Sequence, residues 1–594
     1  MCGIVGAWGL NGPVPAHLLP ARSLDALRHR GPDGAGWFAN AGCRMGFRRL
    51  AIIDVEGGDQ PLHNENGDIT LTINGEIYNH HALRAELAAR HRFSTSSDAE
   101  VVLHGYEEWG TQVFDRLRGM FALALADARA DRLVLARDCV GKKPLYTRIQ
   151  DGALMWSSEI APLLGSERPA IDRGALNDYL RFGYVPAPRT LVQGIRKLPA
   201  GCMLIAERGR IAVRRWSPLL LVDATPGAGG LEDQAGEEWE GDVRSALSDA
   251  VSVRMESEVP LGFLLSGGID SAAVFALGAQ ASRAPLRAFT VGFAEPGLDE
   301  TAAAGLVARR YGAEHVVLRL EQSLAPSLRE VVARCEEPLA TDALLPTERV
   351  FAAVRAAGVT TILAGEGADE VFAGYTKFAH GAGWEDEGHA AWRDSGSGPL
   401  ARYLATEEFC FPSLEERREL LGEEASDDGY AWLDEAVAPL DPLSQMLAIE
   451  VALRLPDRIN HRLDRLSMAH GVEARAPFMD RDLMQLALGV PHGLRGRPGQ
   501  AKRILRRALR DDLPASVVTA PKAPFRAPCS WFLDDGALSR DEVEEAGLVD
   551  ARAVARLQAR ASSDPRAREQ LYNLLILHLW HAAWYRDGAR PLSD

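Results

Sequence analysis

The residues Met1-Cys2-Gly3-Ile4-Val5-Gly6 begin the chain and decide how its first part folds. Removal of the initiator methionine, which a small second residue generally permits, would leave Cys2 with a thiol and a free α-amine. An α-amine titrates near pH ~8 and can relay the thiol proton, so the residue pairs a nucleophile with its own base. The alternative is a small apolar residue that begins a strand. The rest of the chain decides between the two.

The composition predicts a multidomain protein that acts on small molecules. A chain of 594 residues is long enough for two to four domains. Its 66 basic and 82 acidic side chains give a net charge of −16, which disfavours a nucleic-acid partner. No apolar run is long enough to span a bilayer, and the first residues lack the pattern of a signal peptide. We therefore expect no membrane partner and a cytoplasmic location.

The spacing of cysteines and histidines gives no sign of a disulfide or a zinc site. The seven cysteines never occur at CxxC spacing, and the 15 histidines form no HxxxH pair. The pattern favours reduced thiols.

The first 210 residues or so read as short strands with few helices. Apolar, β-rich stretches such as Cys2–Trp8, Met45–Asp54 and Asp68–Ile73 predict strands, while Pro15–Arg28 and His80–Ala89 predict helices. Many strands with few helices indicate stacked antiparallel sheets. Residues 217–240, rich in Pro, Gly and acids, predict a linker. Its alternative is a surface loop within one domain.

From residue 241 the pattern alternates between helix and strand, which predicts an α/β domain with a parallel sheet. A helix at Val243–Met255 precedes the apolar run Pro260–Leu265, and a second buried strand is predicted at Leu286–Phe293. A further strand, Thr360–Leu363, ends in an acidic loop. The part from about residue 395 onward reads as mostly helical.

Two loops at strand ends predict a nucleotide site. Ser266-Gly267-Gly268-Ile269-Asp270-Ser271 brings glycines and a helix N-terminus to one spot, which suits a phosphate, and Asp270 suits Mg²⁺. The loop Gly365–Glu370 supplies Glu366 and Asp369 at what we expect to be the same sheet edge. The two loops would gather negative charge that only a metal or a cationic substrate could relieve. The alternative is a plain strand–turn–helix, since neither GxxxxGK[ST] nor GxGxxG is present.

Ordered motifs along most of the chain resemble those of the glutamine-hydrolysing asparagine synthetase family. The first part carries MCGIVG, HRGPDG, RRLAIID, NGEIYNH, SSDAE and RDCVGKKPLY, and the second carries LLSGGIDS, GEGADEVFAGY, LDRLSMAHGVEARAPFMD and Pro521-Lys522. The resemblance implies an N-terminal nucleophile-type αββα sandwich, a class II glutamine amidotransferase domain, over residues 1–216. It implies a parallel-sheet α/β ATP-pyrophosphatase domain with a helical C-terminal part over residues 241–594.

The same resemblance implies roles in the first part. Cys2 would attack the glutamine carboxamide to give a thioester and ammonia, with its α-amine as the base. The Asn74 side chain and the Gly75 backbone N–H would form the oxyanion hole. Arg49 would bind the α-carboxylate of glutamine. The α-ammonium would be held by Asp98, with Glu76 alongside.

In the second part the resemblance implies that ATP and Mg²⁺ activate an acceptor carboxylate as its acyl-adenylate, which ammonia then attacks. Asp270 and Asp369 would bind Mg²⁺, Glu366 would be the base for ammonia, and Lys522 would neutralise transition-state charge. An internal ammonia tunnel and a homodimer are also implied. The residues placed at the nucleotide are Leu265, Ser266, Gly267, Gly268, Asp270, Ser271, Val291, Ala364 and Gly365.

The acceptor is the least determined part of the prediction. Aspartate is the default, but Thr341 stands where an acid is frequent, and residues 376–440 match nothing in the family pattern. A tailoring amidotransferase that uses another carboxylate is the second hypothesis. A non-catalytic homologue is the third, and the retained Cys2, Asn74 and Asp270 argue against it.

Overall fold

Two six-stranded antiparallel sheets pack face to face in the N-terminal part. The computed structural model describes residues 2–19, 21–164, 169–218, 232–295, 297–379, 398–407, 410–497, 499–523, 525–533 and 538–586. The strands of this part are β1 Gly3–Gly9, β2 Gly34–Ala39, β3 Cys43–Arg49, β4 Leu62–His63, β5 Ile69–Ile77, β6 Gly119–Asp127, β7 Arg132–Arg137, β8 Tyr146–Gln150, β9 Ala153–Ser157, β10 Ile195–Lys197, β11 Cys202–Glu207 and β12 Arg210–Arg215. The orders are β10-β8-β9-β1-β3-β2 and β12-β11-β7-β6-β5-β4.

The packing of the core between these sheets explains why the MCGIVG motif has a glycine at position 6. Ile4, Phe47, Leu135 and Trp156 are buried there together. A Cβ on Gly6 would lie 2.0 Å from the Trp156 ring, so only glycine lets the indole cover that strand. The second glycine of MCGIVG is thus a packing requirement of the sandwich.

Helices cover the outer faces of both sheets, which confirms the predicted αββα sandwich. Leu83 and Val102 pack on the second sheet, and Tyr179 packs beyond the first. The helices are α1 Ala21–Asp25, α2 His80–Leu87, α3 Glu100–Trp109, α4 Val113–Arg116 and α5 Arg173–Phe182. The first is shorter than the predicted Pro15–Arg28, and α3, α4 and α5 were not predicted.

The helix α6, Glu232–Ser252, begins inside the predicted linker. Its residues 232–240 are helical because Trp239 packs against the core and buried Glu240 lies 3.2 Å from Arg510 of the later chain. The acidic run is therefore partly the start of a helix that packs against the second part of the chain. The rest of the predicted linker, residues 219–231, lies outside the described residues.

The second part is built on a five-stranded parallel sheet, which confirms the predicted α/β architecture. Its order is β15-β14-β13-β16-β17, for β13 Leu261–Leu264, β14 Arg287–Phe293, β15 Glu314–Leu320, β16 Thr361–Leu363 and β17 Glu473–Arg475. The edge strand β17 comes from the stretch that was predicted to be helical. Because β13 has β14 on one side and β16 on the other, the chain order reverses there, and ligands bind at such switch points.

Helices surround this sheet and fill the C-terminal part. They are α7 Ile269–Ala281, α8 Thr301–Arg310, α9 Leu328–Cys335, α10 Leu344–Ala356, α11 Ala368–Phe372, α12 Pro399–Leu404, α13 Leu414–Leu421, α14 Ala431–Val437, α15 Pro442–Ile449, α16 Asn460–Met468, α17 Arg481–Gly489, α18 His492–Arg495, α19 Arg503–Ala508, α20 Ala515–Thr519, α21 Arg540–Ala546, α22 Ala551–Ala561 and α23 Pro565–His581. All seven cysteines are free thiols. In the part of the chain that the structure describes, no helix is both long and apolar enough to cross a bilayer.

Candidate active sites

Cys2 lies between the two antiparallel sheets. It precedes β1 in the first sheet, while Asn74 lies on β5 in the second. The Cys2 backbone N–H donates to Asn74 Oδ1 at 3.0 Å, which links the sheets at this point. Cys2 is 8% exposed, and burial raises the pKa of its thiol. A protonated thiol of this kind needs a nearby base before it can act as a nucleophile.

The other half of the Asn74 amide is free. Its Nδ2 is buried and makes no hydrogen bond to any described residue. Buried amide donors normally have partners, so an unpaired one beside a thiol fits a site that receives an oxyanion. The neighbouring Gly75 is fixed by packing, because a Cβ there would lie 2.1 Å from the Met120 carbonyl oxygen.

Two buried carboxylates lie next to this pair. Glu76 and Asp98 are 5% and 6% exposed, and burial raises the pKa of both carboxyl groups. The Ile77 N–H donates to Asp98 Oδ2 at 2.6 Å, and Arg475 Nη2 is 3.3 Å from Glu76 Oε2. A ligand ammonium would favour the ionised forms of these carboxylates and so be bound by them.

Arg49 is tied to a neighbouring loop. Its guanidinium donates to the backbone carbonyls of Asp54 at 2.5 Å and Val55 at 2.9 Å, and to the Asp59 carboxylate at 3.1 Å. The Asp59 side chain is 80% exposed, so a ligand carboxylate could replace this partner at little cost.

Arg30, from the HRGPDG stretch, donates a hydrogen bond to the backbone of Cys2. Its side chain is fully buried, and Nε donates to the Cys2 carbonyl oxygen at 3.1 Å. Its Nη1 is 3.0 Å from Glu159 and 2.9 Å from Asp464 on α16 of the second part. One guanidinium therefore joins the Cys2 backbone to the other half of the molecule.

The SGGIDS loop folds around its own hydroxyl groups. The Ser266 N–H donates to Ser271 Oγ at 2.9 Å, and the Gly268 N–H donates to Ser266 Oγ at 3.1 Å. The helix α7 starts directly after Gly268. A Cβ on Gly365 would lie 2.6 Å from the Ser271 nitrogen, so glycine allows the second loop to touch the first. The expected convergence of these loops is present, since β13 and β16 are direct neighbours.

The two loops form one wall of a cavity of about 520 Å³. The predicted nucleotide residues that line it are Leu265, Ser266, Gly268, Asp270, Ser271, Val291 and Gly365, together with the predicted Glu366, Asp369 and Lys522. Gly267 and Ala364 do not contribute to its wall. Ala364 is fully buried, and its N–H donates to the Arg475 carbonyl oxygen at 2.9 Å. Ala364 is thus part of the strand contact between β16 and β17 rather than of the cavity surface.

Two lysines offset charge of the two acidic loops. Lys502 Nζ lies 2.5 Å from Asp270 and 2.6 Å from Asp369, and Lys522 Nζ lies 2.7 Å from Asp369. Burial acts to raise the pKa of Asp369, but the two lysines outweigh it and lower the pKa. The sequence-based statement that only a metal or a cationic substrate relieves this charge is therefore wrong.

One carboxylate oxygen of Asp270 is nevertheless available to bind a metal ion. Asp270 Oδ1 is buried and accepts no hydrogen bond from any described residue. A carboxylate oxygen that faces a cavity beside a phosphate-type loop suits Mg²⁺, which binds through one or two carboxylates and the substrate phosphates.

Comparison with known proteins identifies the family. A glutamine amidotransferase domain model matches residues 1–217, and an asparagine synthase model matches residues 242–582. A Bacillus subtilis asparagine synthetase (glutamine-hydrolysing) is 30% identical across 98% of this chain and 96% of its own length. The Escherichia coli asparagine synthetase B is 31% identical across 93% of this chain and 87% of its own length.

The chain belongs to the glutamine-hydrolysing asparagine synthetase family. It is accordingly a glutamine-dependent ligase that uses ATP. A Mycobacterium tuberculosis relative is 34% identical over the whole of this chain and 98% of its own length.

Lys502 is a cavity residue that the sequence did not reveal. It is 2% exposed and adopts a left-handed backbone conformation, with φ of 55°, immediately before α19. In the sequence it precedes Arg503, Arg506 and Arg507, which reads as a solvated basic face. The tertiary contacts with Asp270 and Asp369 alone distinguish it.

The expectation that residues 376–440 match nothing in the family is wrong, since the asparagine synthase match runs through them, and this segment also contributes to the cavity. Of residues 376–440, the described ones include Thr376, Lys377, Thr406 and Glu407 in the wall. Lys377 forms buried ion pairs with Glu407 and Glu450, and its Nζ donates to the Tyr403 hydroxyl at 3.0 Å. Residues 380–397 and 408–409 lie outside the described residues.

Proposed function

We propose that the enzyme is a glutamine-dependent asparagine synthetase. Residues 1–216 act as the glutaminase domain, and residues 241–594 act as the synthetase domain, with ATP and Mg²⁺ as cofactors. The observation that carries the proposal is the unpaired buried Nδ2 of Asn74 beside Cys2. An amide kept without a partner in a protein core is costly unless a ligand uses it.

In the glutaminase domain, the Cys2 sulfur attacks the glutamine carboxamide carbon after its proton passes to the free α-amine. Asn74 Nδ2 and the Gly75 N–H hold the oxyanion that forms. Collapse of the tetrahedral intermediate expels ammonia and leaves a thioester, which water hydrolyses to glutamate. Arg49 binds the α-carboxylate, and Asp98 with Glu76 binds the α-ammonium.

In the synthetase domain, the acceptor carboxylate attacks the α-phosphorus of ATP and pyrophosphate leaves. Ammonia then attacks the acyl carbon, AMP leaves, and Glu366 accepts the proton. Asp270 and Asp369 would hold Mg²⁺, which would neutralise phosphate charge when bound, and Lys502 and Lys522 support the two carboxylates. Glu366 lines the same cavity, 3.9 Å from Arg462.

Aspartate is the proposed acceptor because the cavity wall carries both signs of charge. Arg454, Arg458 and Lys377 can bind carboxylates, and Glu370 and Glu407 can bind an ammonium group. A zwitterionic amino acid with a second carboxylate matches this combination. Thr341 in the same wall favours the second candidate, a tailoring amidotransferase whose acceptor is another carboxylate.

An acceptor panel tests this proposal. Pyrophosphate release is measured with glutamine, ATP and Mg²⁺ in the presence of aspartate, glutamate and other amino or peptide carboxylates. With aspartate as the acceptor, the enzyme should release pyrophosphate and form asparagine in equal amounts. Release that depends on another carboxylate and not on aspartate would support the tailoring enzyme, and formation of ADP would contradict both.

A further inference from the structure

Two histidines and two glutamates converge outside the sites described above. Glu65 lies in the turn between β4 and β5, His91 follows α2, and His104 and Glu107 are on α3. One possible ligand atom from each lies within 4.8 Å of the other three. The fold assembles this group from separate segments, which is why cysteine and histidine spacing gave no sign of it.

The distances within the group fit a four-coordinate ion. His91 Nδ1 is 3.6 Å from Glu65 and 3.5 Å from Glu107, and His104 Nδ1 is 3.7 Å and 3.1 Å from the same two carboxylates. Donors about 2.0–2.1 Å from Zn²⁺ at the corners of a tetrahedron are about 3.3–3.4 Å apart. The four observed separations lie on both sides of that value.

The outer nitrogens of both imidazoles are already held by carboxylates. His91 Nε2 is 3.1 Å from Glu108 Oε1, and His104 Nε2 is 3.4 Å from Glu100 Oε1. A carboxylate that accepts the Nε2 proton leaves Nδ1 for a metal ion, as in carboxylate–histidine–metal arrangements. Such an ion would replace the hydrogen bond between His104 Nδ1 and Glu107 Oε2 at 3.1 Å.

The two glutamates are positioned in the same way. One Glu65 oxygen accepts the Arg92 N–H at 2.9 Å, and one Glu107 oxygen accepts the Asn64 amide at 2.8 Å. Oε2 of Glu107 faces both histidines, while Glu65 presents Oε2 to His104 and Oε1, the oxygen bound to Arg92, to His91. Each of the four ligands is thus oriented by a partner outside the group.

We propose that Glu65, His91, His104 and Glu107 bind one divalent transition-metal ion, with Zn²⁺ as its best match. Two imidazoles and two carboxylates suit Zn²⁺, and the four glutamates at positions 65, 100, 107 and 108 provide the charge for a dication. The ion has a structural role, because it joins three segments of the glutaminase domain. One of them, the loop after His91, continues into residues 94–98 and ends at Asp98.

Metal titration of the full-length enzyme tests the proposal. The chelator-treated protein is titrated with Zn²⁺ against a chromogenic chelator, and with Co²⁺, whose visible absorption is intense only in tetrahedral sites. The wild type should bind one equivalent more than His91→Gln, and Zn²⁺ should raise its Tm by several degrees. Glu108→Gln should weaken binding about 10–100-fold, as expected for a residue that orients a ligand.

Controls separate loss of the site from loss of the fold. His17→Gln changes an exposed histidine paired with Asp151 and should leave metal binding intact. Glu65→Gln, at a partly exposed position, repeats the test without changing either histidine. Equal stoichiometry in the wild type, His91→Gln and Glu65→Gln would overturn the proposal, as would a weak octahedral Co²⁺ spectrum.

Discussion

At the scale of single residues, the two polar atoms of the Asn74 amide have different roles. Oδ1 holds the Cys2 nitrogen at 3.0 Å, and Nδ2 is left without a partner. We expect Asn74→Ala to lower the glutaminase kcat about 10²–10³-fold, because one oxyanion donor is lost. Ammonia-dependent synthesis should be unchanged. The exposed turn residue Asn40 provides the control Asn40→Ala, and an equal loss in both reactions would contradict the assignment.

Lys142 is a buried amine without a partner. Its Nζ makes no hydrogen bond to any described residue, and burial, then the charge of Lys143, lowers the pKa of Lys142 to about 7. Between about pH 10 and pH 7 the unfolded chain therefore carries a proton that the folded chain lacks. Stability contributed by this group falls as the pH falls through that window.

Lys142→Met should consequently stabilise the enzyme, by on the order of 3 kcal/mol at pH 7 and by less at pH 9.5. Urea unfolding at the two pH values measures this difference. A gain that grows with pH, or none at pH 7, would show that the amine is charged and stabilised in the folded state.

Single residues differ in how well the sequence reveals them. Cys2 was predicted from its position and chemistry, and Asn74 and Asp98 were predicted because they stand in motifs that resemble those of the family. Lys502, His91 and His104 were not, since each has ordinary neighbours in sequence and gains its partners only when distant segments meet. The predicted Ala364 lies in the right loop, but its position is set by pairing between strands.

At the scale of elements, the synthetase site depends on the N-terminal end of α19 as much as on the two predicted loops. Lys502 there bridges Asp270 and Asp369. We expect Lys502→Ala to reduce acceptor-dependent ATP–pyrophosphate exchange by at least about 10²-fold, because charge on the transferring phosphoryl group loses a neutralising partner. Glutamine hydrolysis should continue.

The neighbouring Arg503→Ala is the matched control, since its guanidinium donates to the exposed Gly493 carbonyl oxygen and does not line the cavity. Unchanged exchange in Lys502→Ala would place Lys502 outside the reaction and leave Lys522 as the acting lysine.

Element types were predicted well and element limits less so. Apolar, β-rich runs identified strands such as β1, β5 and β14, because buried positions select apolar residues, whereas β12 and β15 were not predicted. The edge strand Glu473–Arg475 was missed because three residues carry too little periodicity, and only pairing with β16 makes them a strand. The start of α6 was missed because its acidic composition is typical of a linker. Its helical structure depends on the contacts that Trp239 and Glu240 make with distant parts of the chain.

At the scale of the whole molecule, buried charges connect the two halves. Asp464 on α16 accepts a hydrogen bond from Arg30 Nη2 at 3.2 Å. The same carboxylate lies 2.9 Å from Arg30 Nη1 and 3.6 Å from Lys143 Nζ. Burial acts to raise the pKa of Asp464, but Arg30 and Lys143 lower it. The carboxylate is thus an ionised contact between the halves.

Asp464→Asn should destabilise the enzyme by about 3–5 kcal/mol, because Arg30 and Lys143 would remain buried with one anion fewer. Urea midpoints measure the loss. Asp482→Asn removes a carboxylate that is 63% exposed and should change stability by less than about 0.5 kcal/mol. Equal effects of the two substitutions would show that the contact between the halves is energetically neutral.

The most direct test of the two-site account compares ammonia sources in Cys2→Ala. The variant and the wild type are supplied with ATP, Mg²⁺, aspartate and either glutamine or ammonium chloride, and asparagine and pyrophosphate are measured. We predict that Cys2→Ala forms no asparagine from glutamine but retains the wild-type rate with ammonium. Loss of both activities, or retention of the glutamine-dependent one, would contradict the account.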